Sequence, residues 1–188
     1  MSIRSESLIT ISSSVHEVWA YVCDVGRWPE WAPTVRECRV HGGAPLQPGS
    51  RVEQRAKGPF GSTHRRAQRV TAVSAPRSVA FAGPMGTSPA RWGMELEPMD
   101  DGQTEAKMWV EVDLKSLMRA IPARMVNGRI RRVMDREMAA IKGALESATQ
   151  GGSDSDTGMD AVADPLERAQ APEAAAELAP LPSSRSTP

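Results

Sequence analysis

Two changes of hydrophobic period predict an α+β domain. From about residue 34 to 114, apolar and polar residues alternate along six segments, the mark of antiparallel strands with one wet face. From about 116 to 148 the apolar residues recur every three or four positions, as on one face of a helix. A third observation lies upstream, where a short apolar strand runs into a capped amphipathic helix.

The first strand is expected from about Arg4 to Ile11, with Leu8 alternating against Ile9 and Ile11. Ser13 or Ser14 then serves as N-cap. Glu17, three residues after Ser14, completes a capping box, in which serine hydroxyl and glutamate satisfy backbone donors at the helix start. Val15, Val18, Trp19 and Val22 fall on one side of that helix, and Asp24 and Gly26 end it. Trp28 to Trp31 make a second short helical turn that Pro33 stops. Strands follow at Val35–Val40, Gly49–Lys57, Thr63 to about Val73, Ser78–Ala82, Ala90–Glu97 and about Glu105–Leu114. Gly42-Gly43, Gly58-Pro59, Ala75-Pro76, Gly83-Pro84 with Gly86, and Asp100-Asp101-Gly102 punctuate them. The last strand alternates most regularly: Ala106, Met108, Val110, Val112 and Leu114 on one face, Glu105, Lys107, Glu111 and Asp113 on the other. The long helix, with a joint near Pro122, carries the stripe Ile130, Met134, Met138, Ile141 and Leu145.

Charge and composition divide the chain near residue 149. Residues 1–148 hold 21 Lys and Arg against 16 Asp and Glu; residues 149–188 hold two against seven, with five prolines and no aromatic residue. Such a tail buries too little apolar area to offset an ordering cost of roughly 1–2 kcal/mol per residue, so a domain over 1–148 with a disordered acidic tail over 149–188 is expected. The tail reads as a solubilising extension, or as a segment that covers the basic face of the domain or docks a partner. No secretory signal and no membrane span is apparent. Cys23 and Cys38 sit in expected packed elements and read as reduced thiols of a cytoplasmic protein. No metal-ligand spacing, phosphate-binding glycine pattern or nucleophile motif occurs, so no metal or cofactor is expected.

The stretch from Val18 to Pro33, VWAYVCDVGRWPEWAP, holds three of the five tryptophans. With the strand and serine cap before it, it resembles the N-terminus of the START-like (SRPBCC) superfamily, and within that the polyketide cyclase/dehydrase and lipid-transport family. The match covers residues 4–148. The resemblance implies a helix-grip fold, a curved antiparallel sheet wrapping the long C-terminal helix, with an internal cavity for an apolar small molecule. A coenzyme-Q-binding relative is similar in the first helix, but RWPEW departs from the Tyr/Phe-rich turn expected there.

Alternation places Val52, Gln54, Ala56, Val70, Val79, Phe81, Trp92, Met94, Leu96, Met108, Val110 and Val112 inward, with Met118, Ile121, Met125, Ile130 and Met134 facing them from the helix. Read alone, these residues pack a core; the resemblance turns them into cavity walls. Gln54, Gln68, Phe81, Trp92, Met94, Met108, Val110 and Met125 are the candidate ligand contacts. His64, Arg66 and Gln68 share parity with Val70, so His64 and Arg66 are the candidate catalytic groups, able to polarise a carbonyl or stabilise an enolate. A strand bulge would reverse that parity. Trp28 and Trp31 read as a structural plug at one end of the sheet or as a border of the cavity entrance. Trp109 has outward parity and covers the outer face or makes a subunit contact, which would give a homodimer. Arg129, Arg131, Arg132 and Arg136, with Asp135 and Glu137 among them, read as a solvated helix face, and no aromatic platform beside them suggests nucleic acid. Two functions remain open: a cyclase/dehydratase that folds a polyketide-type or aromatic substrate, and a non-catalytic carrier of a hydrophobic ligand.

Overall fold

The computed structural model describes residues 2–57, 62–85, 88–113 and 123–153, with side chains 124–148 in the last segment. The elements are β1 (Ser2–Ile11), α1 (Val15–Cys23), a 3-10 turn (Val25–Arg27), α2 (Trp28–Trp31), β2 (Val35–His41), β3 (Arg51–Lys57), β4 (Thr63–Ser74), β5 (Ser78–Met85), β6 (Ser88–Pro98), β7 (Thr104–Asp113) and α3 (Ala123–Ser153). β1 starts two residues earlier than expected, β5 and β6 are longer, and α3 runs on to residue 153, into what the composition assigns to the tail. Leu114, Met118, Ile121, the joint near Pro122, the Gly58–Gly61 turn and residues 154–188 lie outside the described residues.

The seven strands of the described residues form one curved antiparallel sheet in the order β1-β7-β6-β5-β4-β3-β2. β2 to β7 is a meander, because each connection is short enough to close a hairpin. Gly102, with φ of 76°, sits in the β6–β7 turn in a conformation that side chains with a Cβ avoid. α1 and α2 carry the chain from β1 at one edge to β2 at the other.

Period-two alternation selects the inner face. Val52, Val70, Val79, Phe81, Met94, Leu96, Ala106, Met108, Val110 and Val112 are buried in one cluster with Met134, Met138 and Ile141 of α3. The sheet therefore grips α3 along the stripe that the helical spacing marks. A bulge does occur in β4, between Val70 and Ala72, but it lies beyond Gln68, so the parity of Arg66 and Gln68 is kept. On the outer face, a Cβ on Gly93 would lie 2.6 Å from the Val79 carbonyl oxygen and 2.8 Å from the Trp109 ring. That glycine lets the half-buried Trp109 lie across the sheet, where Arg4 stacks over its indole at 5.4 Å.

Polar residues fix α3 against β1. Ser5 and Ser7 point inward at positions an apolar residue would normally hold, and each is buried. The Ser7 hydroxyl donates to Asp135 Oδ1 at 2.6 Å, and Ser5 bonds Asn127. Lys142 Nζ donates to the Thr10 carbonyl at 2.7 Å, and the Ser12 amide donates to Glu146 at 2.9 Å. Asp135, read from sequence as part of a solvated face, is thus an anchor.

The capping box forms: the Glu17 amide donates to Ser14 Oγ at 3.4 Å, and the Ser14 amide donates to Glu17 at 2.8 Å. The aromatic turn is tied to α1 twice. Trp28 Nε1 donates to the Val22 carbonyl at 2.9 Å, and Tyr21 donates to Glu30 at 3.0 Å.

Candidate functional site

Between the inner sheet face and the first half of α3, the side chains touch at Met134 and along β1 but do not fill the space. They leave a cavity of about 640 Å³. Its floor is β3 to β7 through Gln54, Arg66, Gln68, Trp92, Met108, Val110 and Val112; its roof is α3 through Val126, Ile130, Met134 and Glu137; Trp28, Trp31 and Val35 close one end. Met85, Met125, Arg129 and Val133 also line it and are exposed. The volume falls within the roughly 300–1,000 Å³ common for small-molecule sites, and the wall is mainly apolar.

An aromatic cluster shapes the closed end. Phe81 and Trp92 stack at 4.3 Å and 13°, and Trp28 packs edge-on against both, at 5.3 and 5.4 Å. Trp31 lies 5.8 Å from Trp28. The turn thus combines both readings of the sequence: it plugs the sheet end, and both tryptophans border the cavity.

One polar chain crosses the floor. Trp92 Nε1 donates to Gln68 Oε1 at 2.7 Å, Gln68 Nε2 donates to Gln54 Oε1 at 3.2 Å, and Arg66 Nε donates to that same oxygen at 2.5 Å. Arginine can only donate, so the arrangement fixes which end of the Gln54 amide faces it. Gln54 and Gln68 are buried, and their bonds to each other meet the requirement that buried amides be paired. Burial pulls the Arg66 guanidinium below its usual pKa, with the charge of Glu137 opposing. It stays charged at any ordinary pH.

Glu137 is the residue that sequence reasoning misplaced. It lies on the α3 wall rather than on a solvated face, and no hydrogen bond from a described residue holds its carboxyl. Burial pushes its pKa up to about 7, and the Arg66 charge only partly offsets this. Its spacing carried the signal: Glu137 is seven residues after Ile130, three after Met134 and four before Ile141, within the apolar stripe. Among the described residues, Trp31 Nε1 is the buried side-chain polar atom with no hydrogen-bond partner.

The other sequence candidates are placed as follows. Arg66, Gln54, Gln68, Trp92, Met108, Val110 and Met125 line the cavity. Phe81 and Met94 are buried but lie outside the lining, Phe81 beneath Trp92. His64 has the inward parity but sits exposed at the start of β4, opposite Ala56, and does not reach the cavity. Cys23 and Cys38 are free thiols that burial pushes up to about 12, so neither is a thiolate nucleophile at neutral pH. Among the described residues no cluster of His, Cys, Asp and Glu could hold a metal ion, and no helix is long and apolar enough to cross a membrane.

The family model described as polyketide cyclase / dehydrase and lipid transport matches residues 2–146. No curated protein sequence matches the chain. Solved structures with the same fold include a START superfamily protein from Mycobacterium smegmatis, at 14% identity and TM-score 0.64, covering 77% of this chain and 98% of that one. The di-domain ARO/CYC BexL from the BE-7585A biosynthetic pathway superposes with TM-score 0.64 at 17% identity over 78% of this chain and 47% of its own. Ara h 8.0201 does so with TM-score 0.63 at 16% identity, over 78% and 99%.

Proposed function

The chain belongs to the polyketide cyclase/dehydrase and lipid-transport family, and from that premise we propose that its cavity binds a largely apolar, aromatic or polyketide-type molecule with carbonyl groups and promotes its cyclisation and dehydration. The observation that carries this reading is the Arg66–Gln54–Gln68–Trp92 chain on the floor of an otherwise apolar cavity. After its internal bonds, the chain offers a fixed cation and the Gln54 N–H groups as donors. Donors held in place in a low-dielectric site suit a carbonyl oxygen that gains negative charge as its neighbouring carbon becomes an enolate. The aromatic end favours a flat substrate through stacking, and the walls exclude water and hold a folded chain near its attack geometry.

His64, outside the cavity, has no part in this chemistry; Arg66 has. The ARO/CYC neighbours share the fold at low identity, and this chain spans only about half of BexL, so the cyclase step rests on the cavity's own residues. The second reading, a carrier, is favoured by how few polar groups the walls present.

The test is incubation of a poly-β-keto thioester with and without the protein. A changed rate or ring pattern, lost in Arg66→Met, is expected. Saturable binding with unchanged rate and ring pattern would establish the carrier instead.

A further inference from the structure

Resting on the reading above, we propose that Glu137 is the proton-transfer group of the cavity and that the ligands it serves carry an acidic C–H between two carbonyls. Arg66 on β4 and Glu137 on α3 line the same cavity from the sheet side and the helix side, and each acts on the other's titration through space. A 1,3-dicarbonyl lying between them places its oxygens toward the guanidinium and Gln54, and its central carbon toward the carboxylate. The Glu137 carboxylate takes the C–H proton, and the electron pair of that bond moves onto the carbonyl oxygen that Arg66 faces. On ring closure the enolate carbon bonds to a second carbonyl carbon. The oxygen of that carbonyl then takes the proton back from the Glu137 carboxylic acid. No oxidant, reductant or metal is needed.

The surroundings suit a base that must ionise near neutrality and yet hold a proton. Gln54 on β3 and Gln68 on β4 are neutral, and Trp31 on α2 is neutral. The Cys38 thiol on β2, coupled to Arg66, stays protonated at neutral pH because burial pushes it up to about 12. Among the described residues, the charged groups lining the cavity with Glu137 are therefore Arg66 and, on its own helix, the exposed Arg129. A general base works best with a pKa near the working pH, and burial has moved this carboxyl to about 7.

Dibenzoylmethane, an apolar 1,3-diketone, is the probe, with binding measured by tryptophan fluorescence and exchange of its central C–H followed by NMR in D2O. Wild type should accelerate exchange, with a rate that rises with pH and levels off above the Glu137 midpoint. Glu137→Gln should bind the diketone with similar affinity and lose roughly a hundredfold of the acceleration, the lower end of what a positioned base supplies. Glu137→Asp should retain part of it. Equal exchange in wild type and Glu137→Gln, with the diketone bound to both, overturns the role of Glu137 and leaves the binding site standing. Absence of saturable binding to wild type overturns the underlying reading, and the proposal with it.

Discussion

The two halves of α3 lie against the same sheet and end differently. Its second half, through Met138 and Ile141, closes onto the sheet in a core with both residues almost fully buried. Its first half, through Val126, Ile130 and Glu137, lines a cavity of about 640 Å³ against the sheet. The difference is one of side-chain chemistry. The closed half shares one apolar core with residues such as Leu96 and Ala106, whereas the open half shares the cavity with Gln54, Arg66 and Gln68, which bond to each other instead of to the helix. Polar anchors at Ser5–Asn127 and Ser7–Asp135 hold the helix to the β1 edge, so the open half does not collapse.

The largest expected effect breaks the closed half. Met138→Ala should cost about 3–4 kcal/mol, because it opens a void in a packed core. Met108→Ala, equally buried but already on the cavity wall, should cost about 2 kcal/mol, since its loss only enlarges an existing space. Urea unfolding midpoints of the two variants make the comparison, and equal losses would contradict the division.

Glu137 gives the next effect, with a sign set by its raised pKa. An acid that holds its proton more tightly folded than unfolded destabilises the fold as pH rises from its ordinary value, 4.5, to about 7. A gap of that size is worth up to about 3 kcal/mol above the upper limit and nothing below the lower one. Glu137→Gln should therefore raise the melting temperature at pH 8 and leave it unchanged at pH 4, as read in a pH series of thermal melts. An advantage that does not grow with pH would place the carboxyl in water.

Ser7→Ala tests the anchors. It removes a hydrogen bond to a carboxylate and should cost about 1–2 kcal/mol in unfolding free energy. It should also loosen the open half, seen as faster amide exchange at residues 126–137. The smallest effect sharpens the site itself. His64→Ala should leave ligand affinity unchanged in a titration in which Arg66→Met weakens it severalfold.

Much of this was legible in the residues. Regular alternation from Glu105 to Asp113 marks β7, and Ser14 with Glu17 announces the start of α1. Arg66, Gln68 and Gln54 could be placed inward because period two is rigid and the β4 bulge lies past them. Parity fails where a face runs out. His64 obeys the alternation, but the chain there has passed the edge of the cavity. Alternation equally cannot separate wall from packed core: Phe81 and Met94 have the inward parity, yet their neighbours enclose them. Glu137 was hidden by its company, since arginines and Asp135 flank it, although its spacing to Ile130, Met134 and Ile141 matched the apolar stripe. The orphan Trp31 donor depends on three-dimensional pairing, for which no pattern in the sequence stands.

The five indole N–H groups offer the most direct test of the central claim, because Trp28, Trp31 and Trp92 line the cavity while Trp19 and Trp109 do not. In an NMR titration with a flat aromatic ketone, the Trp31 and Trp92 indole signals should move saturably while those of Trp19 and Trp109 stay in place. Five unmoved signals, or shifts led by Trp109, would contradict an apolar ligand site between the sheet and the first half of α3.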